Sequence, residues 1–348
     1  GTAKGCARKG AAQWPHAKRR ARGRSRSRGA KREDEPHDYQ TTMQGVLFEN
    51  ALRLGVGTVI AALEQKRDDF NSAPTTYDPA FSGGRTQDAV AVGYGVNRGP
   101  HSLQLNARND KDSIFGERAT GALAYGYAFA PNWRATASTG TAFRAPTLEQ
   151  VYGPYGSAQL QPETNVNQEL GVGYIGAGGS AKLVAYRNAI SNMISSSQTL
   201  STCSSGFFCY YNVGQATIQG ITLSGTQRID QFNLRGSLDV VDPRDDTTGR
   251  DLSLRARRVM SLGVDRRLAD WLLGADMLAV SERFDNAANT VRLPGYTLFN
   301  LSATSQIARE WQLLLRVDNA TDASYQQVSN YATPGRTFFV GARWEPRK

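Results

Sequence analysis

A chain of 348 residues with 41 Lys+Arg against 31 Asp+Glu carries a formal charge of +10, with a pI near 9.6 and a mean hydropathy of −0.46. No window reaches the ~18 uninterrupted apolar residues that a spanning helix needs, which excludes a bundle of membrane helices. It does not exclude a membrane barrel, because only every second residue of a spanning strand faces lipid. The only histidines are His16, His37 and His101, too few to build a Ser-His-Asp or His-metal centre, so no catalytic residue, metal site or cofactor is expected.

The charge is concentrated at one end. Residues 1–32 hold 12 cations and no acid, leaving 29 Lys+Arg against 31 Asp+Glu, a net of −2, in the other 316 residues. Residues 1–38 form an Ala/Arg/Gly/Lys-rich tail with no periodic apolar residue, and are expected to be disordered or non-native, such as out-of-frame translation of GC-rich DNA would yield. Such a tail can track a phosphate backbone, but its one aromatic, Trp14, offers little base stacking. No nucleic-acid partner is expected, and a basic-tail nucleic-acid binder is kept only as an alternative.

From Tyr39 to residue 348 the texture is different. Segments of about ten residues alternate apolar and polar, as in Phe232, Leu234, Gly236, Leu238 and Val240 interleaved with Asn233, Arg235, Ser237 and Asp239. This period of two predicts strands with one apolar face. In chain order they fall near 42–51, 55–66, 86–95, 100–108, 117–129, 132–142, 166–176, 180–190, 215–227, 230–241, 252–265, 271–282, 294–305, 309–318 and 335–344, about fifteen in all.

Short connections such as Ala130-Pro131 and Gly176 to Gly179 alternate with long ones at 67–85, 109–116, 143–165, 191–214, 242–251, 283–293 and 319–334. Short turns on one rim and long loops on the other is the pattern of a transmembrane barrel. A soluble β-rich binding protein is the alternative, with no reason to keep that asymmetry. Trp133, Tyr296, Trp311 and Trp344 stand near strand ends, where an interfacial aromatic girdle would place them. Cys203 and Cys209, six positions apart, suit a loop disulfide in an oxidising compartment as well as two free thiols.

Two other motifs point elsewhere. Gly171-Val172-Gly173-Tyr174-Ile175-Gly176 matches the dinucleotide fingerprint, yet it joins strand to strand and has no helix N-terminus to receive a pyrophosphate. Asp242, Asp245, Asp246 and Asp251 share one loop, where turn formation explains them better than a calcium ion.

The segment GTAFRAPTLEQVYGPYGSAQLQPETNVNQELGVGY at 140–174 resembles the TonB-dependent outer-membrane receptors, and most closely the cobalamin transporters among them. So do RNAISNMI at 187–194, YYNVGQATIQGITL at 210–223, and the block from LPGYTLFNLSAT at 293–304 through LLLRVDNATDASYQQVSNYATPGRTFFVGARW at 313–344. The resemblance implies an all-β antiparallel barrel in the Gram-negative outer membrane, here roughly the last fifteen strands of a family barrel of 22, with no plug domain. It implies cobalamin as ligand, or a siderophore in the sister group. Its partners would be outer-membrane lipid, the barrel-insertion machinery and, in a full-length form with a plug, the TonB complex. The family's usual aromatic ending is replaced by Glu345-Pro346-Arg347-Lys348, which bears on insertion. Ligand contact is then expected from Tyr152, Tyr155, Phe207, Phe208, Tyr210, Tyr211 and Tyr331 on outward loops.

Overall fold

The computed structural model describes residues 23–26, 39–74, 79–197 and 209–346. They divide into two compact units, one comprising residues up to Gly95 with Asn106–Ala119, the other Val96–Leu105 with Thr120 onward. Most of the expected basic tail lies outside the described residues.

In the first unit β1 (Gly23–Arg26) pairs antiparallel with β2 (Tyr39–Leu54), and β2 pairs with β3 (Gly57–Ser72) from Tyr39↔Ser72 to Leu54↔Gly57. It also holds most of β4 (Phe81–Arg98), the second half of β5 (His101–Asp112) and the start of β6 (Gly116–Ala130). Expected as loop, residues 67–72 and 81–85 instead extend β3 and β4. Arg85 Nη2 of the β4 extension donates to Asp68 Oδ2 of the β3 extension at 3.0 Å, and nearby Arg108 on β5 donates across to Glu64 of β3 at 2.8 Å and along its own strand to Asp110 at 2.7 Å. The expected long connection at 109–116 is also corrected, to the three residues between β5 and β6.

The second unit is one antiparallel ladder in chain order. It runs through β6, β7 (Trp133–Arg144), β8 (Glu163–Gly176), β9 (Gly179–Ser197), β10 (Cys209–Ile229), β11 (Phe232–Asp245), β12 (Arg258–Leu268) and β13 (Trp271–Val280). β13 then pairs with β16 (Tyr296–Ala308), followed by β17 (Trp311–Asp318) and β18 (Thr337–Trp344), while β14 (Arg283–Phe284) and β15 (Arg292–Leu293) make a separate hairpin. The Gly-rich stretch at 171–176 ends β8 and enters a two-residue turn to β9, so it opens no helix.

Two-residue turns close one rim of this ladder, at 131–132, 177–178, 230–231, 269–270 and 309–310. Several need a left-handed residue, supplied by Asn132 (φ 68), Asp230 (φ 51) and, without the usual side-chain help, Ala269 (φ 50). The opposite rim carries 145–162, 246–257, 281–295 and 319–336.

The pleat separates two faces. Val172, Leu183, Leu223, Leu238, Met260 and Ala279 are successive register partners and form an apolar row. One residue over, Lys182, Ser224, Ser237 and Ser261 form a polar row in which Ser237 and Ser261 share a hydrogen bond of 2.8 Å. The apolar face stops towards the loops at Gln168, Arg187, Gln219 and Asp242, again register partners. Near the turns it meets aromatics, with the Trp133 and Tyr174 rings 5.1 Å apart and Trp311 opposite Trp344. A slab with this layering has nowhere to hide its Leu and Val residues from water except in hydrocarbon.

Candidate functional site

The long connections are tied to the strand ends by polar contacts. At the first, Pro146 ends β7 and is fully buried, and Thr147 caps α1 (Leu148–Tyr152), its Oγ1 accepting from Gln150 N at 3.1 Å while Gln150 Oε1 accepts from Thr147 N at 2.9 Å. Leu148 and Leu160 are buried beneath this loop. Arg144 donates twice to Glu163, whose Oε1 also accepts from Ile194 N at 2.6 Å. Asn212 on β10 completes the seam, accepting from Gln161 N and donating to Gln161 O and Asn192 O.

This seam brings together part of the expected ligand set. Tyr210 N donates to Tyr155 O at 3.2 Å, with Tyr211 next to it, and Tyr152 and Tyr155 are exposed on the helix and the turn after it. Phe207, Phe208 and Cys203 lie outside the described residues, whereas Cys209 is disulfide-bonded. Tyr331 stands apart, 70% exposed on the 319–336 connection, which is fastened to a different loop.

The 246–257 connection explains the aspartate group. Asp245 accepts from Thr247 N and Thr248 N, Asp246 accepts from Thr217 at 2.6 Å, and Arg257 binds both Asp251 and Asp242. The hydrogen bonds from Arg257 hold the Asp251 carboxyl below the usual carboxylate range and raise the Arg257 guanidinium in turn. Each acid has a structural task, and no group of three metal-ligating side chains occurs among the described residues.

The remaining two connections form one assembly. The guanidinium of Arg283, on β14, donates from Nη2 to Gln326 O and Gln327 O at 3.1 and 3.0 Å, and Asp285 Oδ1 accepts from Ser329 N at 2.9 Å. Tyr325 packs on Tyr296 with centroids 4.6 Å apart, and Leu293, paired with Arg283, is almost fully buried. Under this roof, against the polar face of β9 to β13 and β16, lies a cavity of about 450 Å³ lined by Tyr186, Asp239, Arg255, Arg283, Tyr296 and Gln327 among others. A larger hollow of about 910 Å³ is lined by residues of both faces, among them Tyr186, Ile221, Val240, Arg257, Arg258 and Glu282. Sequence reading missed Arg283, which no periodicity marks; the stretch after β13 offers only an Arg beside a Phe, and burial comes from loops distant in sequence.

Comparison with known proteins is consistent with this architecture. Residues 11–320 match the family described as TonB dependent receptor-like, beta-barrel, and the chain belongs to that family of Gram-negative outer-membrane proteins. Its match begins inside the expected tail. Among solved structures, the chain resembles the ferric enterobactin receptor PfeA from Pseudomonas aeruginosa at 20% identity and a TM-score of 0.72, covering 89% of this chain and 54% of that one. It resembles the siderophore receptor PirA from Acinetobacter baumannii at 15% identity and a TM-score of 0.71 over 89% and 55%, and the copper transporter OprC at 18% and 0.73 over 89% and 57%. These likenesses are of fold. The chain spans little more than half the length of the structures it matches.

Proposed function

We propose that this chain is the loop-bearing wall of an outer-membrane receptor that takes up a scarce metal chelate, a siderophore complex, with energy supplied through TonB when a plug is present. The observation that carries this reading is the asymmetry of the ladder. Every connection on one rim of the second unit is a two-residue turn, while the other rim builds a roof over a polar-faced cavity. A receptor needs elaboration only on the side from which its ligand arrives.

The choice of chelate is supported by neighbours named for ferric enterobactin, siderophore and copper. The cobalamin expectation rests on sequence motifs alone. Tyr152, Tyr155, Tyr210 and Tyr211 are proposed as ring contacts for the ligand, with Phe207, Phe208 and Tyr331 completing the set. The apolar row from Val172 to Ala279 would meet lipid, delivered there by the barrel-insertion machinery. No bond in the ligand is made or broken in this scheme, so the wall serves as a binding surface.

The test is direct binding. The whole chain, folded into detergent micelles, is titrated with iron(III) chelates and with cyanocobalamin while tryptophan fluorescence is followed. Quenching by an iron chelate and none by cyanocobalamin is expected. Saturable binding of cyanocobalamin alone would overturn the chelate reading.

A further inference from the structure

Arg283 is a charged side chain in an unusual position. It is 8% exposed, forms no ion pair among the described residues, and its Nη1 is buried without a hydrogen-bond partner. The other terminal nitrogen is fully used by the carbonyls of Gln326 and Gln327, and the group lies over the Tyr296 ring with Cζ 5.8 Å from its centroid. Loop anchoring therefore accounts for one nitrogen and leaves the other unused. Burying a cation without an anion is costly, and holding two carbonyls needs only the two N–H donors of a neutral amide.

The surroundings favour an anion. Arg283 and Arg255 both line the cavity of about 450 Å³, against a single carboxylate there, Asp239. That carboxylate is already engaged, its Oδ1 accepting from Thr222 Oγ1 at 2.7 Å and from the Tyr186 hydroxyl at 3.3 Å. Tyr296 and Tyr186 add aromatic wall. A volume of this size is in the usual range of small-ligand pockets.

We propose that the cavity under the 281–295 and 319–336 connections is the receptor's anion-recognising subsite, that Arg283 Nη1 is its buried donor, and that the ligand is an anionic iron(III) chelate of the catecholate class. This rests on the reading of the chain as an uptake receptor and narrows its ligand class. A tris-catecholate complex of iron(III) carries three negative charges, whereas a trihydroxamate complex of similar size is neutral. The buried guanidinium discriminates between them, because only the first places negative charge on the acceptor and so adds an ion pair, away from water, to the hydrogen bond.

The experiment titrates the whole chain in micelles with both probes, iron(III)–enterobactin and the neutral trihydroxamate iron(III)–ferrichrome, for the unaltered protein, Arg283→Gln and Arg283→Lys. Heat-modifiable migration on a gel confirms that each variant is folded. The expected result is preference for the catecholate complex, weakened roughly tenfold to a hundredfold in Arg283→Gln and partly restored in Arg283→Lys, with the neutral complex weakened by a clearly smaller factor. Equal loss of both complexes in Arg283→Gln would make Arg283 a loop anchor only and overturn the subsite. So would undiminished catecholate binding, with the receptor reading left standing. Failure of every chelate to bind the unaltered protein would overturn the receptor reading and the subsite with it.

Discussion

Arg144 and Glu163 are register partners at the loop ends of β7 and β8, and their side chains form a two-point ion pair with Nε–Oε2 2.6 Å and Nη2–Oε1 3.0 Å. The pair closes the base of an 18-residue connection at 145–162. Glu163 also accepts from Ile194 N, so one carboxylate joins three strands. In Glu163→Ala the Ile194 amide loses its partner, and local opening should become easier by roughly 1–3 kcal/mol. Limited proteolysis would then cut within 145–162 about an order of magnitude faster, while the strands keep their heat-resistant gel migration.

The Asp251–Arg257 contact predicts a pH dependence confined to one loop. The folded carboxyl titrates below its unfolded value, so its contribution is complete above the unfolded value of about 4 and is lost as pH falls through the lowered one. Amide exchange at Leu252, whose N–H is bonded to Pro243 O at 2.9 Å, should lose protection below about pH 4. Asp251→Asn should remove that step and leave less protection at neutral pH.

Ala269 adopts φ 50 in the two-residue turn between β12 and β13. A Cβ is strained there, and glycine relieves the strain at some entropic cost to the unfolded chain. Ala269→Gly should stabilise the folded protein by about 0.5–1 kcal/mol, read as a higher midpoint of urea unfolding in lipid vesicles.

Cys209 is one end of a disulfide, and the chain has three cysteines. Thiol titration of the unreduced, denatured protein should find one free thiol. Peptide mapping should place it at Cys6 if the partner is Cys203, and at Cys203 if the partner is Cys6.

How much of this was legible in the sequence depended on where the pattern had a physical cause. Alternation along 232–240 marked β11 because one of its faces is uniformly apolar, and all fifteen long strands were marked in this way. The ends of β9 and β10 were not. Ser195 and Ser196 pair with Tyr211 and Tyr210 beyond the apolar belt, where the run Ser195-Ser196-Ser197 on β9 carries no apolar–polar alternation. The two-residue strands β14 and β15 are too short for any period. The helix α1 had a readable signal in Thr147 and Gln150, spaced as a capping box, that strand-seeking missed. For the site, the aromatic residues around Tyr155 and Tyr210 stood out by type. Arg283 did not, since its burial is made by Leu293 and by carbonyls more than forty positions away.

The central claim is that one face of this ladder meets lipid and the other does not. Along β10, Ile221 and Leu223 belong to the apolar face, Thr222 and Ser224 to the polar one. Single cysteines at 220–227, in a Cys-free background folded into lipid vesicles and labelled with a fluorophore, can be probed with a lipid-soluble and a water-soluble quencher. Strict alternation is predicted, with positions 221 and 223 quenched from lipid and 222 and 224 from water. Equal access of the water-soluble quencher to all eight positions would contradict the account.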